Sequence, residues 1–375
     1  MERPVRALKA FIVAAFAGCS IYDSSLLVDA GADVVTIIDS GADADPCDHA
    51  EPPLRPSQDD PSDAGGATYV IALDNVDFDL TGDAGDAAPA VGLDLDHTCT
   101  CPGAKSCVAA ASAGPQCDDS RGRDNAGGAL IKQFSAISSS ELNANKVNTN
   151  LAKGANSMVL ILTNYNETAN DTKVSLAVLV SNGTVPLDDA GTNPIPKHDG
   201  TDKWGIDPSS LIGSAPPYVA VNQDDSAYVA SGVLVAHVSF PFGLGPSVGA
   251  NFLRVDGAYL VGTLTRTSTG YAVKGYVTGR WDTRNILTGM AGMHDPFNSG
   301  QFLCGSDSTY QALKSAICQG SDIARDSTSD NANAPCDALS LAVGITAEPA
   351  QLGGVLPGNP RPEPCGPTYS DQCGN

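Results

Sequence analysis

Apolar and small residues alternate with polar ones through "YAVKGYVTGRW", residues 271–281, where Tyr271, Val273, Gly275 and Val277 fall on one side, as a strand requires. The same enrichment in Val, Leu, Tyr and Thr marks "ATYVIALDNVDFDL", "SMVLILTN", "TKVSLAVLVS", "SAYVASGVLVAHVSF", "GAYLVGTLTRT" and "ALSLAVGITAEPA" as strands. "AAPAVGLDLDHTC" also reads as extended, separated from the first run by the turn-rich "TGDAGD". "YNETAND" joins two of these runs and predicts a hairpin with an Asn/Asp loop. Helical patterning is limited to three short stretches. "SSSELNANKVNTNLAKG" has serine caps, apolar Leu142, Val147 and Leu151, and Lys153-Gly154 to stop it, while "TRNILTGMAGM" and "STYQALKSAIC" read as two more helices. This pattern predicts one mainly antiparallel domain over residues 67–356, a β-sandwich or jelly-roll with a few short helices. An α+β sheet with helices on one face is the alternative. No internal repeat is evident, which argues against solenoids and propellers.

The N-terminus departs from this pattern. An apolar run between Lys9 and Gly18 follows Arg3, Arg6 and Lys9 and is too short for a span, which needs roughly 20 apolar residues. It reads as a signal peptide over residues 1–18. Phe16-Ala17-Gly18-Cys19 resembles the bacterial lipobox, with phenylalanine where leucine is usual, which makes Cys19 the acylated N-terminus of the exported chain. Each acyl methylene contributes about 0.8 kcal/mol of membrane affinity, so the lipid anchors without a spanning helix. An ordinary secretory signal is the alternative. Residues 19–66 repeat an Asp-Ala-Gly theme joined later by prolines, and Arg55 is their one base among many acids. Such a stretch predicts a tether, or, in the competing reading, an edge strand at Val34, Val35, Ile37 and Ile38. Residues 357–375 form a proline-rich tail.

Charge and cysteine usage fit export. The formal charge is -22, nearly all of it from aspartate, so nucleic acid and anionic lipid surfaces are poor partners. With Cys19 acylated, Cys47, Cys99, Cys101, Cys107, Cys117, Cys304, Cys318, Cys336, Cys365 and Cys373 remain, an even set that predicts disulfides in an oxidising compartment. The crowding in "CTCPGAKSCVAAASAGPQC" predicts local bridges from Cys99 and Cys101 to Cys107 and Cys117. A four-thiolate zinc site is the rival there, although the stretch lacks paired Cys-x-x-Cys knuckles.

Candidate chemistry is sparse. Asp94, Asp96, Asp124 and Asn125, with Asp118 and Asp119, supply hard oxygen donors from two stretches flanking the cysteine-rich loop. They suit a structural calcium ion, but turn capping in a solvated loop is the plainer reading. "GPSVG", residues 245–249, matches the nucleophile elbow at Ser247, with Asp256 or Asp282 and His294 following in order, but a strand and not a helix follows the motif. A Gly/Pro turn is the plainer reading. Trp204 and Asp202 lie in a polar loop of the kind that stacks on sugars, or Trp204 is a core residue. Arg280-Trp281 at a strand end reads as a cation-π or capping pair.

The segments "VGLDLDHTCTC", "CDDSRGRDNAGG", "VTGRW", "LCGSDSTYQALKSAIC" and "CDALSLAVG" together resemble a group of uncharacterised lipoproteins from gliding soil bacteria. The resemblance implies export and lipid anchoring, and it carries no activity with it. The expectation is therefore a lipid-anchored envelope protein, in the outer membrane, with a binding or structural role. Its partners would be the membrane, through the lipid, and a carbohydrate or envelope protein. The alternative is a secreted hydrolase of an envelope or prey polymer, using Ser247 or a carboxylate pair.

Overall fold

Eight strands follow one another around a closed ring. In the computed structural model the described residues are 47–374, without 62–64, 79–90, 101–104, 111–116, 136–143, 188, 190, 214–218, 243–252, 331–332, 358–362 and 367–368. The ring strands are β1 (Ala67–Asp77), β2 (Ser157–Tyr165), β3 (Asp171–Val185), β4 (Asn222–Ala230), β5 (Val233–His237), β6 (Leu253–Arg266), β7 (Tyr271–Asp282) and β8 (Ala338–Pro349). Each pairs antiparallel with the next in chain order, and β8 returns to β1. The fold is a closed eight-stranded barrel, which corrects the sandwich or jelly-roll expectation. Alternation along a strand separates two faces equally well in either architecture. The closing contact is what decides, and here it is the pairing of β3 with β4 across residues 186–221, which leaves the ring without an edge.

The register carries one apolar face around the ring. Ile71 lies opposite Leu160, Leu160 opposite Val178, Leu234 opposite Gly262, Leu260 opposite Val277, and Val273 opposite Ala347. Leu73 opposite Ala347 closes the circuit. The side chains of this face pack as one buried core. At one end Tyr69, Tyr165 and Tyr271 meet edge to face, with ring centroids 4.8 to 6.4 Å apart. Away from the tyrosines, helices α1 (Ala126–Ser135), α2 (Ala144–Ala152), α3 (Thr283–Met290) and α4 (Ser308–Gly320) bring Ile131, Leu151, Leu287 and Tyr310 into the same core. Asp282 and Asp307 cap α3 and α4 by accepting from the amides of Arg284 and Thr309.

Beyond its pairing with β4, β3 leaves the ring, and its last residues pair with a short strand, Lys203–Ile206. Gln351–Val355 adds to that strand in parallel. Trp204 and Ile206 thereby cover the outward positions Ala72, Val159 and Leu179. Trp204 is 1% exposed and offers no ring face to a sugar, which corrects its assignment as a ligand-binding residue.

Among the described residues four disulfides join distant segments: Cys47–Cys99, Cys107–Cys336, Cys304–Cys365 and Cys318–Cys373. Cys117 is also disulfide-bonded. Cys99 and Cys107 thus reach outside the cysteine-rich loop, against the expectation of local bridges. Cys19 and Cys101 lie outside the described residues. Residues 47–61, expected in the tether, lie along the barrel. Arg55 sits 4.6 Å over the ring of Tyr228 and donates to the Thr172 carbonyl, and Asp60 accepts from the Asn170 amide. The tail is held likewise, Asp371 accepting from Tyr310 and Lys314. One compact unit runs Pro46–Asn375. Among the described residues no helix is long and apolar enough to cross a membrane.

Candidate functional site

On the outside of the barrel a polar cleft of about 860 Å³ opens between the loop 91–98, the strands β5 to β7 and the segment 325–330. One wall is built on paired strands. His237 on β5 lies opposite Tyr259 on β6, and their rings stack at 4.7 Å. Arg280 projects outward from β7 while its neighbour Trp281 turns into the core, because successive residues of a strand face opposite ways.

Arg280 is 4% exposed and fully engaged. It grips Asp330 through both terminal nitrogens, one contact being 2.8 Å, and donates to the carbonyls of Leu95, at 2.6 Å, and Ala324. A planar guanidinium suits such two-pronged pairing. It ties the loop 91–98 and the segment 324–330 to the barrel wall, which replaces the expected pairing with Trp281.

The floor of the cleft is acidic. Asp94 and Asp96, two residues apart, both accept from the Thr98 amide, and Asp124 accepts from the Leu95 amide at 2.6 Å. These three carboxylates are buried, and each offers an oxygen within 4.8 Å of the others. His49 Nδ1 contacts Asp94 Oδ2, and the Cys47–Cys99 bridge holds the two chain segments together beside them. Burial pushes Asp96 up to about 6, the Ser106 hydroxyl opposing the shift and the Asp94 charge adding to it. Burial also raises Asp124 well above the carboxylate range, with the charges of Asp96, Asp322 and Asp118 adding. Asp118 is pushed up to about 7 and Asp322 to about 6, again chiefly by burial.

Asn125 does not join this group. Its side-chain oxygen accepts from the amides of Gly128, at 3.1 Å, and Ala342, at 2.9 Å, so it caps α1 and ties down β8. Both lone pairs are engaged, which corrects its assignment as a ligand. Comparison of the chain with protein-family models, curated proteins and solved structures finds no match.

The remaining sequence candidates disperse. Asp202 accepts from the amides of Lys197 and His198 and shapes a turn. Ser247 lies outside the described residues. Its suggested partners have other work: Asp256 accepts from Arg254 and Ser239, Asp282 caps α3, and the His294 ring packs at 4.3 Å on Phe302. Cys47, His49, Asp94 and Cys99 also bring possible metal-binding atoms together, but both sulfurs are spent in the disulfide. His49, Arg280, Asp322 and Asp330 belong to the site or its frame and were not legible as such, because they come from segments far apart in the chain. A second, apolar concavity of about 390 Å³ lies between Ile161, Ala177, Leu211 and Val355.

Proposed function

We propose that the protein is a lipid-anchored component of the bacterial cell envelope, probing its surroundings with the acidic cleft, and that its role is binding and not catalysis. The observation that carries this reading is the construction of the cleft. One wall is set on paired strands and Arg280 ties the two loop walls to it, so a polar concavity is presented by a scaffold cross-linked for an oxidising compartment. A ligand for it carries hydroxyls or positive charge, as an envelope polysaccharide or a basic protein segment does, since acids dominate its lining. The stacked pair of His237 and Tyr259 supplies an apolar wall for a sugar or a side chain.

The hydrolase alternative rests on Asp96, a carboxyl pushed up to about 6 near a second carboxylate. Glycosidases separate their two carboxyl groups by about 5 Å or more. Asp94, Asp96 and Asp124 are instead gathered in one buried cluster, at 4%, 8% and 1% exposure, with no two of them standing open on either side of a polymer chain. Binding is therefore the better supported role.

Two measurements test the proposal. Cys19→Ser is expected to move the exported chain from the detergent to the aqueous phase on partitioning, and a variant still in the detergent phase contradicts the anchor. The oxidised chain is expected to retain an envelope polysaccharide or protein fraction that Tyr259→Ala does not retain; equal retention by the two removes the cleft from the account.

A further inference from the structure

Asp96 brings an uncommon feature to the cleft floor. It is 8% exposed, and its Oδ2 is fully buried yet accepts no hydrogen bond, since the nearby Ser106 hydroxyl donates to the Asp322 carbonyl at 3.3 Å, although its Oδ1 is satisfied by Thr98. A buried carboxylate oxygen left without a donor is costly unless something positive meets it. Beside it lie the carboxylates of Asp94 and Asp124, the first with a wholly buried side chain, all offering oxygens within 4.8 Å of one another. Arg280 lies nearby, but both of its terminal nitrogens are committed to Asp330 and to backbone carbonyls.

We propose that Asp94, Asp96 and Asp124 form a calcium site that clamps the loop 91–98 to the segment 117–125 at the floor of the cleft. The donor chemistry selects the ion. Three carboxylates are hard oxygen ligands, and Ca²⁺ takes about six to eight of them, filling vacancies with water. Asp94 and Asp96 line the cleft, so water and ion have a path in. Soft ions lack a thiolate, since the adjacent sulfurs of Cys47 and Cys99 are joined, and the imidazole beside the cluster, His49, is already engaged with Asp94. The ligands come from two segments 28 residues apart in the chain, Asp96 and Asp124, so the ion restrains the cysteine-rich loop between them much as a further cross-link does. The proposal does not depend on the cleft binding a polymer.

The test uses the full chain with its disulfides intact, stripped with EDTA and titrated with CaCl₂ by calorimetry, alongside thermal melts in calcium and in EDTA. One calcium per chain and a higher melting temperature in calcium are expected. Asp96→Asn is expected to weaken calcium binding by about tenfold or more. It should also exchange rank with the native protein, melting higher in EDTA, where it relieves repulsion, and lower in calcium. A carboxylate that served only as a hydrogen-bond acceptor would leave the variant the less stable protein in both conditions. Asp119→Asn, which loses an acid paired with Arg123 outside the cluster, should bind calcium as the native chain does. If Asp96→Asn does not fold, the native titration together with Asp124→Asn decides. No calcium uptake by the native chain overturns the proposal. So do weak uptake at several sites insensitive to Asp96→Asn, and a preference for Zn²⁺ over Ca²⁺.

Discussion

Replacing Arg280 by methionine keeps the bulk of the side chain and removes its charge, so the loss reports on the guanidinium alone. That group is buried at 4% exposure, and the Asp330 side chain facing it is only 11% exposed. Arg280→Met strands this carboxylate and takes donors from the carbonyls of Leu95 and Ala324. Breaking a buried pair from one side costs about 3–5 kcal/mol, because the partner charge stays buried and uncompensated. Removing both charges costs much less. Arg280→Met with Asp330→Leu should therefore recover a large share of the loss, leaving about 1–3 kcal/mol, chiefly for the buried carbonyl of Ala324. The assay is equilibrium urea unfolding followed by tryptophan fluorescence, since Trp204 and Trp281 are both buried and Trp281 adjoins the mutated residue. A single-variant loss below about 1 kcal/mol would place the pair among surface ion pairs and refute the reasoning. A double variant as damaged as the single would show that Asp330 carries no stranded charge.

Two further outcomes are expected. Burial raises Asp96 and Asp322 from 3.8 to about 6, so between these values the folded chain holds protons that the unfolded chain has released. Stability of the calcium-free protein should then fall as pH rises from 4 to 6, by up to about 3 kcal/mol for Asp322, and go on falling toward 7 as Asp118 loses its proton in the folded chain; urea midpoints in EDTA that rise over this interval contradict the burial of these carboxylates. In the barrel wall a methyl on Gly275 would run into the Val261 carbonyl oxygen and the Gly262 Cα, whereas one on Gly65 would meet nothing within 4 Å. Gly275→Ala should cost about 1–3 kcal/mol in the same assay and Gly65→Ala almost nothing; equal losses would dissociate the effect from packing between β6 and β7.

Strands with a solvated face are the legible part of this fold. In β7, Lys274 is exposed between the buried Val273 and half-buried Gly275, and the alternation shows in the letters. "SAYVASGVLVAHVSF" reads as one strand but makes two, because Ser231 and Gly232, at φ 52° and 81°, turn the chain between β4 and β5. That Ser-Gly pair is a signal of a tight hairpin turn, hidden by the apolar residues on both sides. Helix α1, "AGGALIKQFS", is masked by its glycines, which weaken a helix locally. Tertiary packing explains one of them, since a Cβ on Gly127 would press on Ser340 and Leu341 of β8. Barrel closure leaves no local mark, because the pairing of β3 with β4 spans a long excursion of the chain. Disulfide partners separated by 52 to 229 residues leave none either. In the site, Asp94, Asp96 and Asp124 stand out as acids flanking a cysteine-rich loop. Asn125, next to Asp124, shares their composition signal but is turned toward α1 and β8, a distinction made only by the fold.

The claim at the centre of the account is that the acidic cleft is a place built for binding around the floor of Asp94, Asp96 and Asp124. Anomalous diffraction from crystals of the full chain grown with terbium, an oxygen-seeking stand-in for calcium, tests it most directly. One dominant peak is expected at bonding distance from an oxygen of each of the three carboxylates, with Asn125 still turned away. A peak elsewhere, or none while the three side chains hydrogen-bond to one another through shared protons, would contradict the account.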